Sequence, residues 1–456
     1  MKRYYFLGIG GIGMSAIARY FHMKGFDVCG YDRTRHLVCR TLEEEGILIH
    51  YEENINLIPQ LFLDPTNTIV IYTPAIPHDH KELCYFKENG FKIYKRAEIL
   101  GEITRKERGL CVAGTHGKTT TSTILAHLLH QSSIKCNAFL GGISNNYNSN
   151  LLLSTKSDLV VIEADEYDRS FHQLQPYMAI VTSVDADHLD IYENKEGFIE
   201  GFAHFTSLIQ PGGCLIMKQD IPLNPRLQKG VKLYRYSGCE ESDFYAKNIR
   251  FENGELLFDF VTPEITMHNC YLGVPALINV ENSVAAMAVA WLNGAKEDEL
   301  KNALKSYSGI YRRFNLLINN KDYILIDDYA HHPTELNASI ESVRKLYPQK
   351  HIVGVFQPHL YTRTRDFADG FAHELSKLDE VILLPIYPAR ELPIEGVTSE
   401  MLLNKIENAK KTLCSKEKLV SLLLGKKGNV VLTLGAGDID ALVPQIAEAF
   451  QNKTIE

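Results

Sequence analysis

Two glycine-rich turns constrain the fold of this chain more than any other feature. Each lies between a short apolar run and a stretch with helical spacing, in separate parts of one 456-residue sequence. The first is Gly8-Ile9-Gly10-Gly11-Ile12-Gly13, between residues 4–7 and 14–24. The second is Gly114-Thr115-His116-Gly117-Lys118-Thr119-Thr120-Thr121, after residues 110–113, and its helix is predicted over 119–131. A strand, a glycine turn and a helix in succession aim backbone N–H groups and the positive helix end at an anion. Strands alternating with helices also imply parallel sheets with right-handed crossovers.

The alternation runs along the whole chain. Further strands are predicted at 26–31 and 68–72, the latter ended by Pro74 and Pro77. The charged stretch 101–108 reads as a linker. Strands follow at 110–113, 159–162 and 178–182. Short alternating segments such as ELLFDFV, within 214–266, suggest antiparallel strands, and 279–291 returns to helix. A third unit starts near Gly309, with strands at 323–326, 352–356, 381–385 and 430–434. The expectation is an α/β protein of three domains. Residues 1–100 form a Rossmann-like domain, 101–308 a central P-loop ATPase-type domain, and 309–456 a second Rossmann-like domain.

A net charge of −8 argues against a nucleic-acid binder working through a basic face. No apolar run approaches the length of a membrane span, so no membrane insertion is expected. The N-terminus reaches its glycine loop too soon for a signal peptide. The nine cysteines form no C-x-x-C, which suggests neither a zinc site nor a disulfide framework and fits a reducing cytoplasm.

Five clusters carry chemistry. In the first loop, Asp32 lies 19 residues after Gly13 at a strand end, where an acid meets a ribose hydroxyl. NAD is the obvious ligand, yet the pattern specifies a diphosphate and not a nucleotide, and glycines serving packing alone would look the same. In the second loop, Lys118 is placed to reach terminal phosphates and the Thr119 hydroxyl to sit on Mg²⁺. Val112 stands where a standard P-loop has glycine, so this is a shorter variant. Third come Glu163-Ala164-Asp165-Glu166 and Asp185-Ala186-Asp187-His188-Leu189-Asp190, both at C-terminal strand ends and suited to divalent metal and proton chemistry. Solvated loop acids are the alternative for Glu166, Asp168 and Asp190, less so for Glu163. Fourth are Arg312-Arg313-Phe314 and the run Asp327-Asp328-Tyr329-Ala330-His331-His332, with Pro333 and Thr334 opening a helix. Fifth is Gln357-Pro358-His359 with Arg363 and Arg365, a clamp for carboxylate or phosphate, or else a solvated basic turn.

A dehydrogenase needs only the first loop and a simple NTPase only the second. The set GIGGIGMS, GTHGKTTT, EADE, LQPYMAIVTSVDADHLD, NVEN, RRF, DDYAHHPTE and FQPHLYTRTRD resembles, in order and along the whole chain, the Mur ligases of peptidoglycan synthesis. DDYAHHPTE with QPH and YTRTRD resembles their alanine-adding branch and its close relative, the murein-peptide recycling ligase.

The resemblance implies an ATP-dependent ligase that joins L-alanine to the carboxylate of UDP-N-acetylmuramate through an acyl phosphate, releasing ADP and phosphate. It implies that Gly8, Gly10, Gly11, Gly13 and Asp32 hold the UDP-sugar rather than NAD. Gly114, Thr115, His116, Gly117, Lys118, Thr119 and Thr120 would hold ATP, with Asn279 and Asn282 at the adenine. Thr119, Glu163 and His188 would bind Mg²⁺ or Mn²⁺. Arg313, with Asp328, would reach from the third domain to the ATP phosphates, and His331 and Arg363 would position alanine and the tetrahedral centre. Lys118, His188, Arg313, Asp328 and His331 are thus the implied catalytic set. Two residues depart from the family pattern: Ile278 replaces a histidine near the adenine, and Leu360 an arginine at the amino-acid end. The expected protein is a cytoplasmic monomer or homodimer with small-molecule partners. The recycling ligase, a non-catalytic UDP-sugar binder and an NAD-dependent dehydrogenase remain as alternatives.

Overall fold

Three sheets, each built mainly of parallel ladders, carry the chain in the computed structural model, which describes residues 2–185, 192, 194–252, 255–389, 391–407, 410–426 and 428–455. The first sheet contains β1 (Arg3–Leu7), β2 (Asp27–Tyr31), β3 (Leu48–His50), β4 (Thr68–Tyr72) and β5 (Lys92–Lys95). Its order is β3-β2-β1-β4-β5, all parallel. β1 is central, and Tyr5, Phe6 and Leu7 are fully buried. The first glycine loop therefore leaves the sheet where strand order reverses, the place where open α/β sheets take ligands. The helix Ile12–Met23 follows, burying Met14, Ile17, Ala18 and Phe21. Gly25 stops it at φ +83°, a conformation that favours glycine.

The expected linker is instead partly helix. Residues 101–104 are the last turn of the helix Arg96–Thr104, which buries Ile99, Leu100, Ile103 and Thr104. Glu102 and Arg105 on its wet side pair with each other and mask this apolar face. Gly101 sits inside the helix because a Cβ would overlap the Gln173 carbonyl.

The second sheet contains β6 (Arg108–Ala113), β7 (Asn137–Ser144), β8 (Ser149–Leu152), β9 (Leu159–Glu163), β10 (Pro176–Val181), β11 (Cys214–Lys218), β12 (Lys232–Ser237), β13 (Phe244–Glu252), β14 (Glu255–Val261) and β15 (Thr266–Leu272). The order is β15-β14-β13-β12-β11-β10-β6-β9-β7-β8. β11, β12 and β13 pair in parallel, against the antiparallel expectation for that part of the region. Cys214 through Met217 are buried in succession, as are Leu256 through Phe260 in ELLFDFV. Strands covered on both faces read as continuous apolar runs. β6 lies between β9 and β10, and the second glycine loop leaves from it at another reversal of strand order.

The third sheet contains β16 (Asn315–Asn319), β17 (Ile324–Asp328), β18 (Ile352–Phe356), β19 (Glu380–Leu383), β20 (Lys410–Leu413) and β21 (Val430–Leu434), in the order β16-β17-β21-β18-β19-β20. Only its β16–β17 edge is antiparallel. The chain divides into two compact units. One is Met1–Lys247, Phe260–Met267 and Asn282–Leu304, and the other is Asn248–Asp259, His268–Glu281 and Lys305–Glu456. No helix among the described residues is long and apolar enough to cross a membrane.

Within the first unit, Asn150 of β8 ties the second sheet to the helix behind the first glycine loop. Its Nδ2 donates to Ile12 O (2.6 Å) and Ser15 Oγ (2.9 Å), and its Oδ1 accepts from Arg19 Nη1. Asn150 is fully buried and the Arg19 side chain nearly so. Asn150→Ala is expected to lower stability by about 1–3 kcal/mol, because it takes the partner from one donor, Arg19 Nη1, and from two acceptors, Ile12 O and Ser15 Oγ. A thermal melt measures this, and an unchanged midpoint would show that the contact carries no weight.

Candidate active site

The second glycine loop is fixed from below by the end of β10. Thr182 Oγ1 donates to the carbonyls of Ala113 and His116, and Ser183 Oγ accepts from His116 N at 2.9 Å. Thr115 Oγ1 shares a hydrogen bond with Ser183 Oγ (2.8 Å) and accepts from Asp185 N (3.1 Å). His116 Nε2 lies 3.8 Å from Asp185 Oδ2. Gly114 takes φ +140°, and a Cβ there would overlap the Thr182 hydroxyl. Gly117, at φ +80°, caps the helix Lys118–Gln131, so Lys118, Thr119 and Thr120 form its first turn. A Cβ on Gly117 would come within 2.9 Å of Asn282 Oδ1, which also accepts from Thr121 Oγ1 (3.2 Å). Asn282 therefore supports the loop from beneath. Asn279 is buried and donates to Val274 O (3.3 Å), while Ile278 is exposed at the start of the helix Ile278–Leu292.

Lys118 is largely buried. Its Nζ donates to Gly114 O (2.6 Å) and to Glu166 Oε1 (2.8 Å). Burial opposes the charge, but Glu166 and Glu163 outweigh it and hold the ammonium above its ordinary pKa. Glu166 is not the solvated loop acid that the sequence allowed, since its side chain is 2% exposed. Glu163 ends β9 beside Val112 in register, and a Cβ on Gly141 would overlap its carboxylate. Beyond this cluster the backbone turns through Asp168 and Arg169, both at positive φ (51° and 53°), a strained arrangement for two successive non-glycine residues. His188, with Ala186, Asp187, Leu189 and Asp190, lies outside the described residues.

At the first glycine loop, Gly8 has φ +81° and, with Ile9, donates to Tyr31 O. Gly11 N–H donates to Gly8 O (3.2 Å). Asp32 closes the loop: Oδ2 accepts from Gly10 N (2.8 Å) and Oδ1 from Thr34 N (3.1 Å). A Cβ on Gly10 would overlap Cys39 Sγ and crowd His36 and Asp32. A Cβ on Gly13 would come within 2.5 Å of Arg96 Nη1. Arg96 Nη2 in turn donates to Asp165 Oδ2 (3.0 Å), and Lys95 Nζ to Asp168 Oδ2 (2.8 Å). Sequence reasoning missed Arg96, which links the first loop to the acidic cluster. Its signal was the Lys-Arg pair at the end of β5, on the C-terminal side of the parallel strands as the glycine loop is.

In the second unit, the C-terminal ends of β17 and β18 carry the remaining candidates. Arg312 is buried at φ +64°, donating to the Gly435 and Gly437 carbonyls and pairing with Asp327. It holds the loop together. Arg313 is half-buried and packs its guanidinium 5.1 Å from the centre of the Tyr329 ring. Asp328 is buried and accepts from Ser339 Oγ; burial raises its carboxyl to about 6. His331 Nδ1 lies 3.0 Å from Tyr329 O and 3.3 Å from Glu335 Oε2, so Nδ1 carries the proton and Nε2 the lone pair. Arg363 Nη1 approaches His359 Nδ1 at 3.4 Å, and the His359 and His331 rings are 6.3 Å apart. Burial, then Arg363 and His331, push His359 down to about 4, so it is neutral and accepts from the guanidinium. Arg365 instead is exposed and pairs with Asp366.

Models of the Mur ligase family cover nearly all of this chain: the "Mur ligase family, catalytic domain" matches residues 3–108, the "Mur ligase middle domain" 112–290, and the "Mur ligase, glutamate ligase domain" 312–437. The chain belongs to the Mur ligase family. The UDP-N-acetylmuramate–L-alanine ligase of Porphyromonas gingivalis strain W83 is 58% identical over 99% of both chains. That of Christiangramia forsetii is 47% identical over 98% of both. Among solved structures, the UDP-N-acetylmuramate-alanine ligase of Thermotoga maritima superposes with a TM-score of 0.84 at 25% identity, covering 99% of this chain and 100% of that one. A murein peptide ligase from Psychrobacter arcticus shares the fold, with a TM-score of 0.69 at 22% identity over 99% of both chains. Each of the three matched segments of this Mur ligase contains one of the three sheets' candidate strand ends.

Proposed function

We propose that this Mur ligase joins L-alanine to the carboxylate of UDP-N-acetylmuramate, consuming ATP, in the cytoplasmic stage of peptidoglycan precursor synthesis. The observation that carries this reading is Lys118, held as a buried ammonium at the mouth of a phosphate-type loop, in a chain alike over its full length to ligases of that name. The domains run over residues 1–100, 101–308 and 309–456. The first takes the UDP diphosphate on Gly8, Gly10, Gly11 and Gly13, and the second takes ATP on residues 114–120 with Asn279 and Asn282. The third supplies Arg313, Asp328, His331 and Arg363.

In the reaction, a substrate carboxylate oxygen bonds to the γ-phosphorus of ATP as the bond to the ADP oxygen breaks. The amine of alanine then attacks the acyl carbon, and phosphate leaves. Lys118 and Arg313 offset charge on the phosphoryl oxygens, the main demand of such a transfer. The oxygen donors Thr119 and Glu163, the latter seated in the space that Gly141 leaves open, fit a hard divalent cation. With His188 they would hold Mg²⁺, which neutralises phosphate charge when bound. His331 Nε2 takes a proton from the alanine amine.

The test is a panel of amino acids with UDP-N-acetylmuramate and ATP, scored by phosphate release. L-alanine is expected to give the highest turnover, with none in the absence of the UDP-sugar. Preference for a tripeptide would assign the recycling reaction, and no release with any acceptor would leave only binding.

The same assay checks the proton acceptor. Burial lowers His331, with Glu335 opposing and Arg363 reinforcing the shift. A lowered folded-state value means the imidazole is already neutral at its ordinary pKa of about 6.5. The acid limb of kcat/KM for alanine, reckoned on the zwitterion, should therefore fall below about 6.5, and His331→Asn should abolish it. A limb centred above that value would exclude His331.

A further inference from the structure

Lys118 is held by the protein itself. Of its three N–H donors, one makes a 2.6 Å bond to Gly114 O and another a 2.8 Å bond to Glu166 Oε1, while Thr115 O lies 3.5 Å away. Glu166 is fixed from behind, because Tyr192 Oη donates to its carbonyl at 2.6 Å. The preceding Asp165 is anchored separately, by Tyr167 N on Oδ1 and Arg96 on Oδ2. The acidic loop therefore presents Glu166, and not Asp165, to the lysine. Glu166 Oε2 is buried with no hydrogen-bond partner among the described residues.

We propose that Glu166 is a positioning residue that competes with nucleotide phosphates for Lys118, and thereby makes nucleotide loading depend on a divalent cation. This rests on reading residues 114–120 as the ATP loop. A phosphate that takes more than the weakly held third donor draws Nζ off Glu166. That leaves a carboxylate, one oxygen of which already lacks a partner, buried with no countercharge. It also sets Glu166 beside a polyanion. Both penalties shrink when a cation enters with the phosphates near Glu163, three residues away. Glutamine at position 166 has the same shape and no charge. It releases the lysine and removes the repulsion, so metal-free binding should tighten. Damage to the loop would only weaken binding.

The experiment is calorimetric titration of the full chain with ADP, in EDTA and in Mg²⁺, for the wild type, Glu166→Gln and Glu166→Asp. Wild-type ADP binding should be much weaker in EDTA. Glu166→Gln should bind ADP about tenfold more tightly than wild type in EDTA, the scale of one charged hydrogen bond, and its ratio of affinities in Mg²⁺ and EDTA should shrink. Unchanged or weaker metal-free affinity, or an unchanged ratio, in folded Glu166→Gln overturns the proposal. Should that variant not fold, Glu166→Asp decides: shorter by one methylene, it stretches the pair and must shift metal-free affinity in the same direction, and no shift overturns the proposal. A wild type that binds ADP in neither condition overturns the ATP-loop reading itself.

Discussion

Lys118→Ala is expected to fold and to lose turnover by about 10²–10³-fold or more, the scale for removing one preorganised donor from a developing oxyanion. The 2.6 Å bond to Gly114 O keeps its ammonium at the loop when a phosphate draws it off Glu166, so its charge is in place as charge builds on the phosphoryl oxygens. The substitution also strips Glu166 of its ion-pair partner. Burial already raises the Glu166 carboxyl, with Lys118 opposing, so losing the lysine raises it further and leaves a buried acid without its partner. The double variant Lys118→Ala/Glu166→Gln separates the two effects: it should recover stability and leave turnover as low as the single variant. Phosphate release near the wild-type rate from folded Lys118→Ala would remove the ATP loop from the mechanism.

The features legible in the sequence are those set by local spacing. Both glycine loops lie between strand and helix as expected, and the helix Pro333–Leu346 begins at its proline. What escaped depends on distance along the chain or on a misleading local cue. Glu166 meets Lys118 across 48 residues, a span that no local propensity reports. Arg96 gains its place only when the helix Arg96–Thr104 packs against the second sheet's acidic loop. The last turn of that helix read as a linker because its wet face is charged. Arg312 and Arg313 look alike in sequence, yet a positive φ buries the first in loop carbonyls and leaves the second half-exposed on Tyr329.

Arg363 is the residue we assign to the carboxylate of the incoming amino acid, because Leu360 offers no charge. Leu360 sits at φ +69° at the head of the helix Tyr361–Asp366, an uncommon conformation for a bulky residue. One turn on, Arg363 meets His359, which is neutral and fixes one arm of the fork from the side. A carboxylate in a closed site calls for a charge-assisted partner, and a guanidinium matches it with two parallel bonds. Arg363→Ala is expected to raise the KM for L-alanine about 10- to 100-fold, equivalent to one charged contact of about 1.5–3 kcal/mol. Acyl phosphate formation precedes alanine attack, so the first half-reaction should be nearly untouched. Arg363→Lys should recover only part of the loss, since lysine brings a point charge without the fork. Arg365 is the internal control: it is exposed and already paired with Asp366 at 2.7 Å, so Arg365→Ala should leave the KM close to wild type. A raised KM in Arg365→Ala with none in Arg363→Ala would mean that the carboxylate is held from the opposite side of this short helix. No change in either would move it off the helix altogether.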